Sequence, residues 1–279
     1  MMFAVYFLFF NLIVSVYSKI DPHSREKPHE GNNLVINVGL PKSGTESLHF
    51  ALTNVGIRSG HYYVDPKLCS MIYPIRSITV GGHYVNETIY PRIDSGTHFY
   101  NSRREPICSL AIVMQHTISK NKPPLFTMIN DGYRGFAELD YIDEINDISI
   151  FPMFEMIDEL FKYYPKAHYV HTRRVTPETH VSSMSVSYHI LEKLKKTGWL
   201  NKFPEQSNSN NDFDNGVIFV KKVTNITISA FKKRPDIRFL DLCIDCPGSD
   251  NTKQLRNFLG VNNLVYSHTH SSSYDDKNT

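Results

Sequence analysis

The sequence predicts a single α/β domain with a central parallel sheet and helices on both faces. Three stretches carry that expectation. Leu34–Val38 is an apolar, β-favouring run that passes through a glycine-bearing turn into a helical pattern beginning at about Thr45. Ala167–Thr172 is a second such run set between two helical patterns, and Ile237–Ile244 is a third, followed by a short helix. Strands that alternate with helices are joined by crossovers, which makes the sheet parallel. With 279 residues, 41% of them hydrophobic, the chain is long enough to bury a substantial core.

Charge excludes one large class of partner. The chain carries 30 basic and 28 acidic residues, a net charge of +2, so nothing in the global balance argues for nucleic acid. Any anion site must be local.

Met1–Ser18 is almost wholly apolar, with small residues at Val16 and Ser18 in the positions that precede a signal-peptide cleavage site. An uncleaved type II anchor is the alternative, and only that form would involve a membrane. Cleavage is preferred because Lys19, Arg25 and Lys27 follow the apolar run and no basic residue precedes it. Residues 19–33 read as a flexible stem, 34–266 as the domain and 267–279 as a loose tail. Sequons at Asn86 and Asn225 agree with a secretory route, to the Golgi lumen or outside the cell. The four cysteines, Cys69, Cys108, Cys243 and Cys246, allow two disulfides in an oxidising compartment; a lone C-x-x-C at Cys243–Cys246 is poor evidence for zinc, and no metal site is expected.

Within the domain, Leu48, Ala51, Leu52 and Val55 form one apolar face of the first helix, and Gly56 stops it. Ile57–Val64 reads as a second strand with His61 near its end. Met71–Arg104, rich in Tyr, Gly, Pro and His, reads as loops and short strands, where binding specificity tends to lie. Helical spacing covers Ile107–Thr117, and Leu125–Ile129 reads as a core strand ending at Asn130-Asp131-Gly132. A helix follows Pro152 and closes at Pro165. After the strand Ala167–Thr172, Thr176 caps a helix that has Pro177 in its first position. Glu205–Asn215 is a polar loop, and Val217–Phe231 leans towards helix.

The first turn carries the chemistry. Gly39 and Gly44 have the spacing of a nucleotide-binding P-loop, but Thr45 stands where the lysine would, and the lysine is at Lys42. A loop at a helix N-terminus presents backbone N–H groups and a positive dipole end to an anion. The order Pro41-Lys42-Ser43-Gly44-Thr45-x-Ser47-Leu48 resembles the 5′-phosphosulfate loop of sulfotransferases that use 3′-phosphoadenylyl sulfate (PAPS). The resemblance implies a P-loop-like sulfotransferase fold and cofactor-binding roles for Lys42, Ser43, Gly44, Thr45 and Ser47, with Lys42 on the oxygen that bridges phosphorus and sulfur.

A second match lies at Pro165–Arg174. In the same family an arginine leaving a core strand, and a serine eight positions later, grip the 3′-phosphate; the spacing selects Arg174 and Ser182, with Arg173 as the alternative arginine. A planar, permanently charged guanidinium suits that task. Val175-Thr176 replace the family's usual Asp/Asn-Pro.

Sulfuryl transfer relies on positioning and charge stabilisation, as phosphoryl transfer does, and it needs a base for the acceptor's proton. By resemblance the base is an acid ahead of the helix that leads into the arginine strand: Asp147 first, Asp131 second. His61 is the candidate on the acceptor side. The expected activity is transfer of sulfate from PAPS to a hydroxyl or amine of a glycan, protein or small molecule. An inactive binder of PAPS or its product adenosine 3′,5′-bisphosphate, and an ATP-dependent kinase, are the alternatives.

Overall fold

The computed structural model describes residues 33–65, 68, 75–80, 83–88, 109–143, 148–186, 189–201 and 211–267. The N-terminal apolar segment, Cys69, Cys108, Asp147 and the tail from 268 lie outside them.

Five strands form an all-parallel sheet: β1 (Val35–Asn37), β2 (Ser59–His61), β5 (Gly135–Glu138), β8 (His168–Arg173) and β9 (Arg238–Cys243). Their order is β2-β5-β1-β8-β9. Two antiparallel pairs lie outside the sheet, β3 (Ile75–Val80) with β4 (His83–Thr88), and β6 (Tyr141–Asp143) with β7 (Ile148–Ile150). The helices are α1 (Thr45–Asn54), α2 (Leu110–Ser119), α3 (Phe126–Asn130), α4 (Pro152–Glu155), α5 (Ile157–Tyr163), α6 (Pro177–Val186), α7 (Ile190–Lys196), α8 (Asp212–Lys232) and α9 (Asn251–Leu259).

Both faces of the sheet are covered, as a parallel sheet requires. Along β1, Val35 joins Ala137, Val170 and Leu242 on the face under α1 and α9, where Leu48, Leu52 and Leu255 are buried. Ile36 points the other way, with Phe136 and Tyr169, into the larger cluster with Met114, Leu160, Val181 and Val220. The alternation in β1 puts one apolar side chain into each layer, so a register slip of one residue would exchange them. Among the described residues no helix is long and apolar enough to cross a membrane.

Most expected elements are present, with three corrections. Leu125–Ile129 is no strand: Phe126–Asn130 is one short helix, α3, and Leu125 N–H donates to Tyr164 Oη across 2.8 Å. Leu125, Met128 and Ile129 are all buried, a pattern at i, i+3 and i+4 that a five-residue apolar run conceals. The third parallel strand is instead Gly135–Glu138, where a Cβ on Gly135 would lie 2.9 Å from Leu52 and Ser59 side chains. The expected single helix behind Pro152 is two short helices broken at Met156 (φ −125). The polar loop ends at Asn211, whose side chain accepts from Phe213 N–H and starts α8.

Candidate functional site

The carboxyl ends of parallel strands, where helices begin, form the usual ligand edge of such a sheet. Here that edge carries the Gly39–Thr45 turn after β1. Asn37, the last residue of β1, frames it. Its Nδ2 donates to Ala137 O of β5 (2.7 Å), while its Oδ1 accepts from Gly39 N–H (3.1 Å) and from Thr172 N–H and Oγ1 of β8 (3.3 and 3.1 Å). One buried amide thus ties the turn to both neighbouring strands.

The turn leaves little room for other sequences. A Cβ on Gly39 would collide with the Thr172 carbonyl and hydroxyl, and Gly44 has φ +91 with Tyr266 and Ile244 against it. Lys42 also has a left-handed backbone (φ 66), which costs a non-glycine residue about 1 kcal/mol or more. Gly44 is the N-cap of α1 and, as a glycine, supplies no side-chain cap bond. His180 of α6 is buried and donates from Nε2 to Pro41 O at 2.8 Å. Burial holds its pKa down to about 4, so the imidazole is neutral and serves as a fixed donor.

Arg174 reaches the same turn. Its Nε donates to Lys42 O (3.1 Å) and its Nη2 to Ser183 Oγ (3.1 Å), while Nη1 lies 3.5 Å from Asp245. Arg173 is engaged elsewhere: its Nε donates to both oxygens of Asp241, 2.9 Å away, beside buried His171. Of the two arginines, Arg174 is the one bonded to the Lys42 turn. A cavity of about 220 Å³ adjoins it, bordered by both Arg173 and Arg174 and by Thr176, His180, Thr224 and Asp241.

Thr45 joins the turn to β5 and β2. Its hydroxyl donates to Glu138, and His61 Nε2 lies 3.2 Å from it and 2.8 Å from Glu138 Oε2. Burial pulls His61 downwards, but the Glu138 hydrogen bond and charge outweigh it and leave its pKa raised. Burial pushes Glu138 upwards, and the His61 bond and charge, with Thr45 and Lys42, bring it below the ordinary range. Two residues on, Asp140 is buried with an unpartnered Oδ1; burial and the Glu138 charge raise its pKa far above normal.

Not every expected residue is brought together. Ser43 is buried with Oγ 2.5 Å from Leu40 O and 2.7 Å from Thr172 Oγ1, so its hydroxyl belongs to the frame of the turn. Ser47 is buried against Tyr266. Ser182 is exposed and donates to Glu178 O on its own helix; Ser183, one position later, meets Arg174 instead. Asp131 lies ahead of β5, at the amino end of the sheet, paired with Arg58 at 3.0 Å. That places it at the opposite edge from Lys42. Asp147 lies outside the described residues.

Asn37, Glu138, Asp140, His180, Ser183 and Asp245 were not anticipated. The Glu-x-Asp of Glu138-Leu139-Asp140 was a usable signal, hidden because the third strand was placed ten residues too early, at Leu125 rather than Gly135.

Fold and site together define an α/β protein with a framed glycine turn, an arginine and a histidine–carboxylate pair at one edge of a parallel sheet. In comparisons with protein-family models and with curated proteins, nothing matched the chain.

Proposed function

We propose that this chain is a PAPS-dependent sulfotransferase with the P-loop-like sulfotransferase fold. The observation that carries the reading is the Arg174 Nε–Lys42 O bond, which places a permanent cation beside the lysine-bearing turn. An anion at each end of one nucleotide is what such a pair suits. The fit is supported by Gly39 and Gly44, where a side chain would fill the turn, and by a helix start whose N-cap is a glycine.

In this reading the turn and the first turn of α1, with Lys42 and Gly44, hold the 5′ end of the donor, and Arg174 with Ser183 holds the 3′-phosphate. The donor supplies an activated sulfuryl group whose departure leaves a bisphosphate. Lys42 neutralises charge that grows on the bridging oxygen. His61 and Glu138, 2.8 Å apart, take the proton of the acceptor hydroxyl or amine as a unit. This replaces Asp131, which sits at the wrong edge. Thr45 orients Glu138 towards the turn. In this reading the sulfuryl group passes in line between Lys42 and this pair.

The acceptor is a glycan, protein or small molecule met in the secretory pathway. Asn225 is exposed on α8, accessible to a glycan, although Thr227 of that sequon is buried in the folded helix.

The test is a thermal-shift titration with adenosine 3′,5′-bisphosphate, followed by incubation with labelled PAPS and a mixed acceptor library. Stabilisation by the bisphosphate and Lys42-dependent label transfer are expected. No stabilisation overturns the reading; stabilisation by ATP with magnesium alone would point to a kinase, and binding without transfer to an inactive binder.

A further inference from the structure

Among the described residues the Arg174 guanidinium bonds to Lys42 O, Ser183 Oγ and a carboxylate, that of Asp245. Asp245 Oδ2 lies 3.5 Å from Arg174 Nη1, the longest of the arginine's contacts. Lys42 O and Ser183 Oγ already fix the fork at 3.1 Å each. Positioning is therefore not what Asp245 alone contributes.

Asp245 is itself held by other groups. Its Oδ1 accepts from Val175 N–H at 2.6 Å, and it lies inside the ring closed by the Cys243–Cys246 disulfide. Ile244 N–H donates to Arg173 O and Ile244 O accepts from Asn251, so the chain on its N-terminal side is pinned too. Ser249 donates to Cys246 O on the other side. The Val175 N–H bond holds the carboxylate beside Arg174.

An anion there meets one cation and one fixed anion. An oxyanion that carries a proton satisfies both, accepting from the guanidinium and donating O–H to the carboxylate. One that carries none leaves two negatively charged oxygens facing each other. A phosphate monoester has a second pKa of about 6 and is proton-bearing over an accessible range. A sulfate ester has no proton to give.

We propose that Asp245 makes the Arg174 site selective for a phosphate monoester over a sulfate ester, by accepting a hydrogen bond from the protonated phosphate oxygen. This rests on the reading of Arg174 as the 3′-phosphate grip. Its consequence for a sulfuryl donor is directional: the phosphate end enters the Arg174 grip, and the sulfate-bearing end is left to the Lys42 turn.

The groups around the Arg174–Asp245 pair are Arg173 with Asp241 and His171, His180, and Tyr266. His180 stays neutral down to about pH 4, as its burial dictates. His61 titrates near the other arm, so adenosine 5′-monophosphate serves as the control for that end.

Calorimetry on the oxidised full chain compares adenosine 3′,5′-bisphosphate with adenosine 3′-sulfate 5′-phosphate. The wild type is expected to prefer the bisphosphate by roughly tenfold or more, the scale of one unmet charged contact. After subtraction of the monophosphate control, that preference should grow as pH falls from about 7.5 to about 5.5, through the phosphate's second pKa. Asp245→Asn keeps an acceptor for Val175 N–H but removes the charge, and should abolish both the preference and its pH dependence. Equal affinities for the two ligands in the wild type, or a preference that Asp245→Asn leaves intact, would overturn the inference. Failure of the wild type to bind the bisphosphate at all would instead overturn the function from which it starts.

Discussion

Arg174 and Lys42, 132 residues apart in sequence, are joined by a hydrogen bond of 3.1 Å from the guanidinium Nε to the lysine carbonyl. The bond uses the lysine's backbone and leaves the rest of the guanidinium for other contacts. It makes the arginine part of the turn.

Arg174→Ala is expected to weaken adenosine 3′,5′-bisphosphate binding by roughly 30-fold or more, the loss of a charge-assisted contact. Arg173→Ala, which breaks the Asp241 pair and a bond of 3.4 Å to Arg174 O but no bond to the Lys42 turn, should change it less. Ser183→Ala should cost a few-fold and Ser182→Ala nothing, because only Ser183 touches Arg174. Calorimetry on the four variants checks this order.

Lys42→Ala should lower kcat by about 100- to 1,000-fold with a much smaller change in bisphosphate affinity, since its charge acts on a bond that only the reaction breaks. Single-turnover label transfer, compared with calorimetry on the same protein, separates the two effects.

The His61–Glu138 pair should behave as one unit. Glu138→Gln and His61→Ala are each expected to cost about 100-fold in kcat, and the double variant hardly more. Additive losses would mean that the two residues act separately. Asp131→Ala should leave turnover unchanged.

His180 predicts a pH dependence of stability. Its folded pKa of about 4 lies below the ordinary 6.5, so between those values the unfolded chain binds the extra proton. Stability therefore falls as pH drops from about 6.5 to about 4, by up to about 3 kcal/mol from this group. His180→Gln, which retains a donor for Pro41 O, should flatten that slope in urea titrations across this range.

Asn37→Ala removes the acceptor of three hydrogen bonds and the donor of a fourth in the buried frame of the turn. A loss of roughly 2–4 kcal/mol of stability is expected, visible as a lower denaturation midpoint.

The parts of this architecture legible in the sequence are those set by local pattern. The strand, turn and helix around Lys42, the buried run Tyr169–Thr172, and the Thr176 cap, whose Oγ1 accepts from Thr179 N–H at 3.1 Å, all follow from periodicity and turn chemistry. Three classes of feature do not. Gly135–Glu138 is a strand because β1 and β2 pair with it on either side, and four residues hold no period that identifies it. Ser183 rather than Ser182 meets Arg174 because the rotation of α6 is set by packing of Val181 and Met184, which a count of eight residues cannot register. Asp245 reaches Arg174 from the turn after the neighbouring strand β9, a contact of tertiary origin that no motif spacing encodes.

The most direct test of the central claim, one nucleotide gripped at two ends, is calorimetry with adenosine 3′,5′-bisphosphate, adenosine 5′-monophosphate and adenosine 3′-monophosphate on the wild type and Arg174→Ala. The account predicts that the bisphosphate binds wild type at least about tenfold more tightly than either monophosphate, and that Arg174→Ala reduces it to the affinity of the 5′-monophosphate. Equal binding of the bisphosphate and the 5′-monophosphate by the wild type would contradict it.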